Sequence, residues 1–133
     1  MLTGNNTTVK EVNGVNPNDL QHIRDFLQGS VYCWCNVKGK EEFAARDLVG
    51  GENTDDWDET PLHVLPRRYI ADGKSRKEAF DQAGIDVGYI LKSVLKDDKR
   101  VFETKVDSDA RYDNVRKYRW IPNYHDSASN PKD

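Results

Sequence analysis

The sequence predicts an α+β domain that is mainly helical, with about four to five helices and a small C-terminal sheet. Three observations predict it. Residues 75–96 (SRKEAFDQAGIDVGYILKSVLK) place apolar side chains at three- and four-residue steps behind a helix-start signal. Two runs rich in β-formers, Val101–Val106 and Val115–Ile121, flank the polar, turn-prone stretch 107–114, as in a hairpin. The length of 133 residues, 36% hydrophobic and 32% charged, fits one small, highly solvated domain.

Taken in order, residues 1–16 are polar, rich in Asn and Thr, and are expected to form a flexible arm. The domain proper is expected over residues 17–121. Pro17-Asn18-Asp19 opens a helix, with Leu20, Ile23, Phe26, Leu27, Val31 and Trp34 at helical spacing. Gly29 weakens it, and a strand over Val31–Val37 is the competing reading. Val37-Lys38-Gly39-Lys40 is a turn. Glu42–Ala44 reads as a short strand, and Ala45–Val49 as a short helix ended by Gly50-Gly51. Residues 52–59 form an acidic loop around Trp57, which reads as a buried anchor ahead of a partner contact. Thr60-Pro61 caps and opens another helix, with Leu62, Leu65, Tyr69 and Ile70 on its apolar face. Pro66 kinks it or delays its start.

Ser75 and Glu78 form a capping box. Ala79, Phe80 and Ala83 follow on one face, and Gly84 is placed to end that helix. Asp86 then caps a second helix carrying Val87, Ile90, Leu91, Val94 and Leu95. Within the hairpin, Tyr118 and Trp120 are expected on the core side, with Lys117 and Arg119 outside. Residues 122–133 read as a disordered tail.

Two helices around a glycine corner, followed by a hairpin, resemble the winged helix-turn-helix domains, over about residues 75–121. Ala79, Ala83, Gly84, Ile85 and Ile90 fit the small–small–Gly–apolar–apolar series of that motif. The resemblance implies a non-catalytic binder of double-stranded DNA, a transcriptional regulator or an accessory to DNA processing, bacterial or phage-like in size. Its recognition helix would be residues 86–96, presenting Tyr89, Lys92, Ser93 and Lys96. Lys99 and Arg100 would follow at the corner, and the wing would add Lys105, Arg111, Arg116, Lys117 and Arg119. Glu42–Ala44 would be the third strand, paired with the wing. Such proteins often dimerise, and the first helix has the apolar surface for it.

Charge fits this polarity. The net charge is −3, but residues 1–66 hold 5 basic and 11 acidic side chains, whereas residues 88–121 hold 9 and 6. A local field steers a polyanion even on an acidic chain. The alternative partner is a protein, met by the acidic half through Asp55, Asp56, Trp57 and Asp58.

Other chemistries find little footing. His22, His63 and His125 lack ligand-spaced partners, so no metal is expected. The acidic loop counted from Asp56 puts Pro61 and Arg67 where a calcium loop needs Gly and Glu. No phosphate-binding glycine loop is present, and no cofactor is expected. Glu103-Thr104-Lys105 has the E-x-K form of metal-dependent nucleases, but the acids upstream fall in helices or turns, and the pattern is set aside. Cys33 and Cys35 are too close on one element to bridge, and read as reduced thiols of a cytoplasmic protein. No apolar run is long enough to span a membrane, and residues 1–14 lack signal-peptide features.

Overall fold

The computed structural model describes residues 1–50, 57–107 and 115–124. Its elements, in order, are β1 (Leu2–Gly4), α1 (Pro17–Lys38), α2 (Ala45–Leu48), a 3₁₀ turn (Pro61–His63), α3 (Val64–Ala71), α4 (Arg76–Asp97), β2 (Phe102–Asp107) and β3 (Val115–Trp120). The α+β, mainly helical class is as expected.

Helix α1 starts where Asn16 Oδ1 accepts the Asp19 N–H at 2.8 Å, with Pro17 in the first position, where a missing N–H costs nothing. The buried residues Ile23, Leu27, Val31 and Cys35 recur every four positions and carry the helix straight through Gly29. That stripe decides between helix and strand over residues 31–37 in favour of helix. Gly39 ends it at φ +62°, its N–H bonded to the Cys35 carbonyl at 3.1 Å. The helix expected from Thr60-Pro61 begins as the 3₁₀ turn, with α3 following at Val64. Thr60 Oγ1 caps the turn through the Leu62 N–H, and buried Pro66 sits in the first turn of α3, where no intrahelical bond is lost.

The expected corner at Gly84 is absent: α4 is one helix of 22 residues. Its start is the predicted capping box, with Ser75 Oγ accepting the Glu78 N–H at 3.2 Å. Ala79, Ala83, Val87, Leu91 and Leu95, four residues apart, are buried without interruption across Gly84. Burying that stripe outweighs the roughly 1 kcal/mol a mid-helix glycine costs. Asp86 caps nothing; its carboxylate receives Arg68 and, at 2.8 Å, the Tyr69 hydroxyl. The corner between helices lies earlier, between α3 and α4, where Gly73 takes φ +92°.

The sheet has the order β1-β2-β3. The hairpin partners Phe102 with Trp120, Thr104 with Tyr118 and Val106 with Arg116, near the expected boundaries. Residues 108–114, including Arg111 and most of the stretch expected as the hairpin's loop, lie outside the described residues. The third strand is β1, parallel to β2, and not Glu42–Ala44, which makes only a single bridge from Phe43 to Tyr118. Residues 1–16 therefore carry more structure than their polar composition suggests. Backbone pairing, which needs no apolar pattern, holds Leu2–Gly4, and Gly4 at φ +105° lets the chain pass against Thr104.

The core joins α1 and α4 to Leu62 and Leu65, with Phe43, Phe102 and Tyr118 closing it from the sheet side. Trp57 is buried against Phe80, ring centroids 5.5 Å apart, and so is an anchor. Among the described residues, no helix is long and apolar enough to cross a membrane.

Candidate anion-binding groove

From β1 the chain runs back over α4 as a strap. Asn5 N–H donates to the Thr104 carbonyl at 2.9 Å, and Arg116 donates to the Asn5 carbonyl at 2.8 Å and to Thr104 Oγ1 at 3.0 Å. Further along, Lys10 lies over the Tyr89 ring, 5.5 Å from its centroid. Arg68 then ties the Asn13 carbonyl to Asp86 of α4. Alternate strap residues Asn6, Thr8 and Lys10 form one wall of a groove of about 790 Å³. Its floor is the face of α4 carrying Gly84, Gly88 and Lys92, and its other walls include Ala44, Ala45, Arg46, Val115, Arg116 and Tyr118.

Lys92 is the unusual group. It is 7% exposed, yet its ammonium makes no hydrogen bond or ion pair with the described residues. Burial pushes its pKa down, and Arg116, Lys96 and Lys10 push it down further. The groove's carboxylate, Asp81, belongs to its other end and is held by Lys77 at 2.8 Å. A cation partly withdrawn from water and facing other cations costs free energy in the empty groove and is an electrostatic complement to an anion that enters it. Tyr118 sits nearby with its hydroxyl pushed upward in pKa by burial, so it is a neutral hydrogen-bonding group there.

The structure thus gathers Tyr89, Lys92 and Arg116 of the expected DNA contacts around one groove, with exposed Lys96 one turn further along α4. It corrects how they are presented. Lys92 was expected on an outward recognition face; it is instead buried, as is Asp86, because both lie between α4 and its neighbours. Ser93 is half-buried and donates to the Ile90 carbonyl at 2.7 Å, while Arg24 donates to its hydroxyl.

Four of the remaining cations, Arg100, Lys105, Lys117 and Arg119, are engaged elsewhere. Arg100 is bound to Asp98 at 2.7 Å and stacked 4.1 Å from the Tyr32 centroid. Arg119 meets Glu103 at 2.9 Å, and Lys105 meets Glu42 at 2.8 Å and Asp107 at 3.4 Å. Lys117 shares Asp107 at 4.0 Å. On the hairpin Arg119 is exposed, Lys117 half-buried, Tyr118 buried and Trp120 half-buried. Lys99 is exposed at the corner between α4 and β2. Of the acidic-loop residues, Asp58 is exposed 3.8 Å from Arg67, and Asp55 and Asp56 lie outside the described residues.

Sequence reading missed Lys10, Gly84 and Gly88 as parts of the site. For the two glycines a signal was present: residues 84, 88 and 92 share one helical face at four-residue spacing. Nothing in the sequence brings Lys10 to that face, because its place depends on the pairing of β1.

Comparison of the chain with protein-family models, with curated proteins and with solved structures finds no match. The chemistry of the groove therefore has to be argued from its own residues.

Proposed function

We propose that the protein is a non-catalytic nucleic-acid-binding protein that holds backbone phosphate in the groove between α4, the strap and β3. The observation that supports this reading best is Lys92: a side chain only 7% exposed, without an acidic partner among the described residues, on the wall-to-floor corner that Arg116 and Lys10 also line. A phosphate seated there gains charge-assisted hydrogen bonds and removes the repulsion among the cations. This differs from a helix laid into a major groove, since the contacts come from a concavity. The wing cations Lys105, Lys117 and Arg119 contribute little to it, being matched by Glu42, Glu103 and Asp107.

The test is fluorescence anisotropy of labelled oligonucleotides, single- and double-stranded, at two salt concentrations. Binding should weaken with salt, and Lys92→Met or Arg116→Met should weaken it about tenfold or more, since hydrogen bonds to charged groups contribute about 1.5–3 kcal/mol. Binding that survives both substitutions unchanged, or no binding of either form at low salt, refutes the reading.

A further inference from the structure

Gly84 and Gly88 are not demanded by packing. A Cβ built at either position meets no atom within 4 Å, and neither has a positive φ. Each costs α4 about 1 kcal/mol relative to alanine. The same face bears Lys92, a side chain only 7% exposed that lines the groove with Arg116 and Lys10, and holding its charge there without an acidic partner among the described residues is a second cost at the same place. Both costs have one physical resolution: a ligand that lies against the bare backbone of α4 and puts an anion on Lys92.

The shape of the groove narrows that ligand. From Gly84 to Lys92 the floor runs about 12 Å, at 1.5 Å per residue. At one end the wall joins half-buried Phe80 and the exposed side chain of Ile85 to Asp81, whose charge Lys77 offsets. At the other end stand Lys92, Arg116 and Lys10. A ligand with a flat apolar part beside an anionic part matches this order. Depth then separates two forms of nucleic acid. The phosphates of a duplex lie on the outside of a stiff cylinder, which cannot follow a groove walled on two sides by the strap and by Arg116 and Tyr118. A single strand bends, and its backbone can enter a groove while its bases turn onto apolar or aromatic walls.

We infer that the groove binds single-stranded nucleic acid, with one phosphate on Lys92 and Arg116 and a base further along the strand, beyond the adjacent nucleotide, against Phe80 and Ile85. The inference rests on the phosphate-binding reading above and adds the strand form and the direction of the strand's apolar contacts.

The experiment compares an oligothymidine of about twelve nucleotides, within the usual footprint of such grooves, with a duplex of equal length, by anisotropy on the full chain. Unlabelled dTMP and inorganic phosphate serve as competitors. The key variant is Gly88→Leu, which fills the floor, leaves every charge in place and raises helix propensity, so that folding is preserved; thermal melting by circular dichroism verifies it. The single strand is expected to bind at least about tenfold more tightly than the duplex, with a salt slope near −0.7 per phosphate neutralised. Gly88→Leu is expected to weaken it about tenfold, and Phe80→Ala to weaken it less.

Duplex binding as tight as single-strand binding, still lost in Lys92→Met, overturns the strand form and leaves the phosphate reading standing. An unchanged affinity in folded Gly88→Leu also overturns the inference. Competition by dTMP as strong as that of the oligonucleotide assigns the groove to a free nucleotide and overturns the strand. Absence of binding by either form overturns this inference and the proposed function together.

Discussion

Lys92→Met removes a charge from a nearly buried position while keeping a chain of similar length. Three terms change in the unliganded protein. A charge partly withdrawn from water is removed, and a thioether suits a side chain only 7% exposed better than an ammonium does. Repulsion from Arg116, Lys96 and Lys10 disappears. No hydrogen bond or ion pair to the described residues is lost. An ion fully withdrawn from water would cost several kcal/mol, but one edge of this one faces an open groove. The net gain expected is about 1 kcal/mol, within the range of single stabilising substitutions. For a domain of this size that raises the melting temperature by roughly 4 °C.

The pH dependence supplies a second handle. The Lys92 pKa is lowered in the folded state from 10.5, so between the two values the unfolded chain binds more protons than the folded one. Stability of the natural protein therefore rises with pH across that window, and the methionine variant lacks this rise. Urea unfolding followed by circular dichroism at pH 7 and near pH 10 should show the advantage of Lys92→Met shrinking at the higher pH. A variant destabilised by about 1 kcal/mol or more at pH 7 would mean that Lys92 has a stabilising partner, and the argument for an anion site would collapse. The natural residue is thus predicted to trade stability for binding.

Three further substitutions bear on the fold. Gly84→Ala should stabilise the protein by up to about 1 kcal/mol in urea unfolding, because Gly84 is mid-helix with open space at its Cβ; a loss instead would indicate the corner that the sequence suggested. Gly4→Ala should destabilise it by about 1–3 kcal/mol: at φ +105° the new Cβ would lie 2.3 Å from the Thr104 carbonyl oxygen, and amide exchange in β1 should accelerate. Asp98 is the acid-sensitive group. Burial alone would raise its carboxyl pKa, but side-chain and backbone hydrogen bonds from Arg100, and one from Gln28 at 2.8 Å, bring it down to about 2. Its contribution, about 2 kcal/mol, is then complete above the unfolded value near 4 and is lost as pH falls toward 2. Asp98→Asn should flatten acid unfolding across that interval; an unchanged acid profile would show that Asp98 is not the group responsible.

Elements governed by neighbouring residues were legible in the chain. Ser75 with Glu78, Asn16 before Pro17, and the two β-rich runs each carry their signal within a few positions, and each boundary lies within about two residues of the expected place. Gly84 was misread because its local preference was weighed before the stripe that passes it. Ala79, Ala83, Val87, Leu91 and Leu95 keep one register on both sides of the glycine, which a corner would have broken. Asp86, read as a cap, is explained only by Arg68 and Tyr69, residues of the neighbouring helix.

The site was less legible than the fold, and for a definite reason. Its cations come from residue 10, residue 92 and residue 116, and what unites them is a strand of three residues with no alternating pattern. Leu2–Gly4 enters the sheet through main-chain bonds, and the glycine at its end is chosen by the Thr104 carbonyl opposite, which no short-range reading reveals. That strand aims the strap across α4, and only then does Lys10 reach Tyr89 and the floor around Lys92 become a groove. The net charge of −3 does not oppose this arrangement, because acids pair with the hairpin cations Lys105, Lys117 and Arg119, while Lys92 in the concavity has no acidic partner among the described residues. Binding through that concavity should accordingly be sensitive to the strap. Loosening its anchor with Arg68→Met, outside the groove, should weaken anion binding with every groove charge retained, and unchanged affinity would show that the strap does not shape the site.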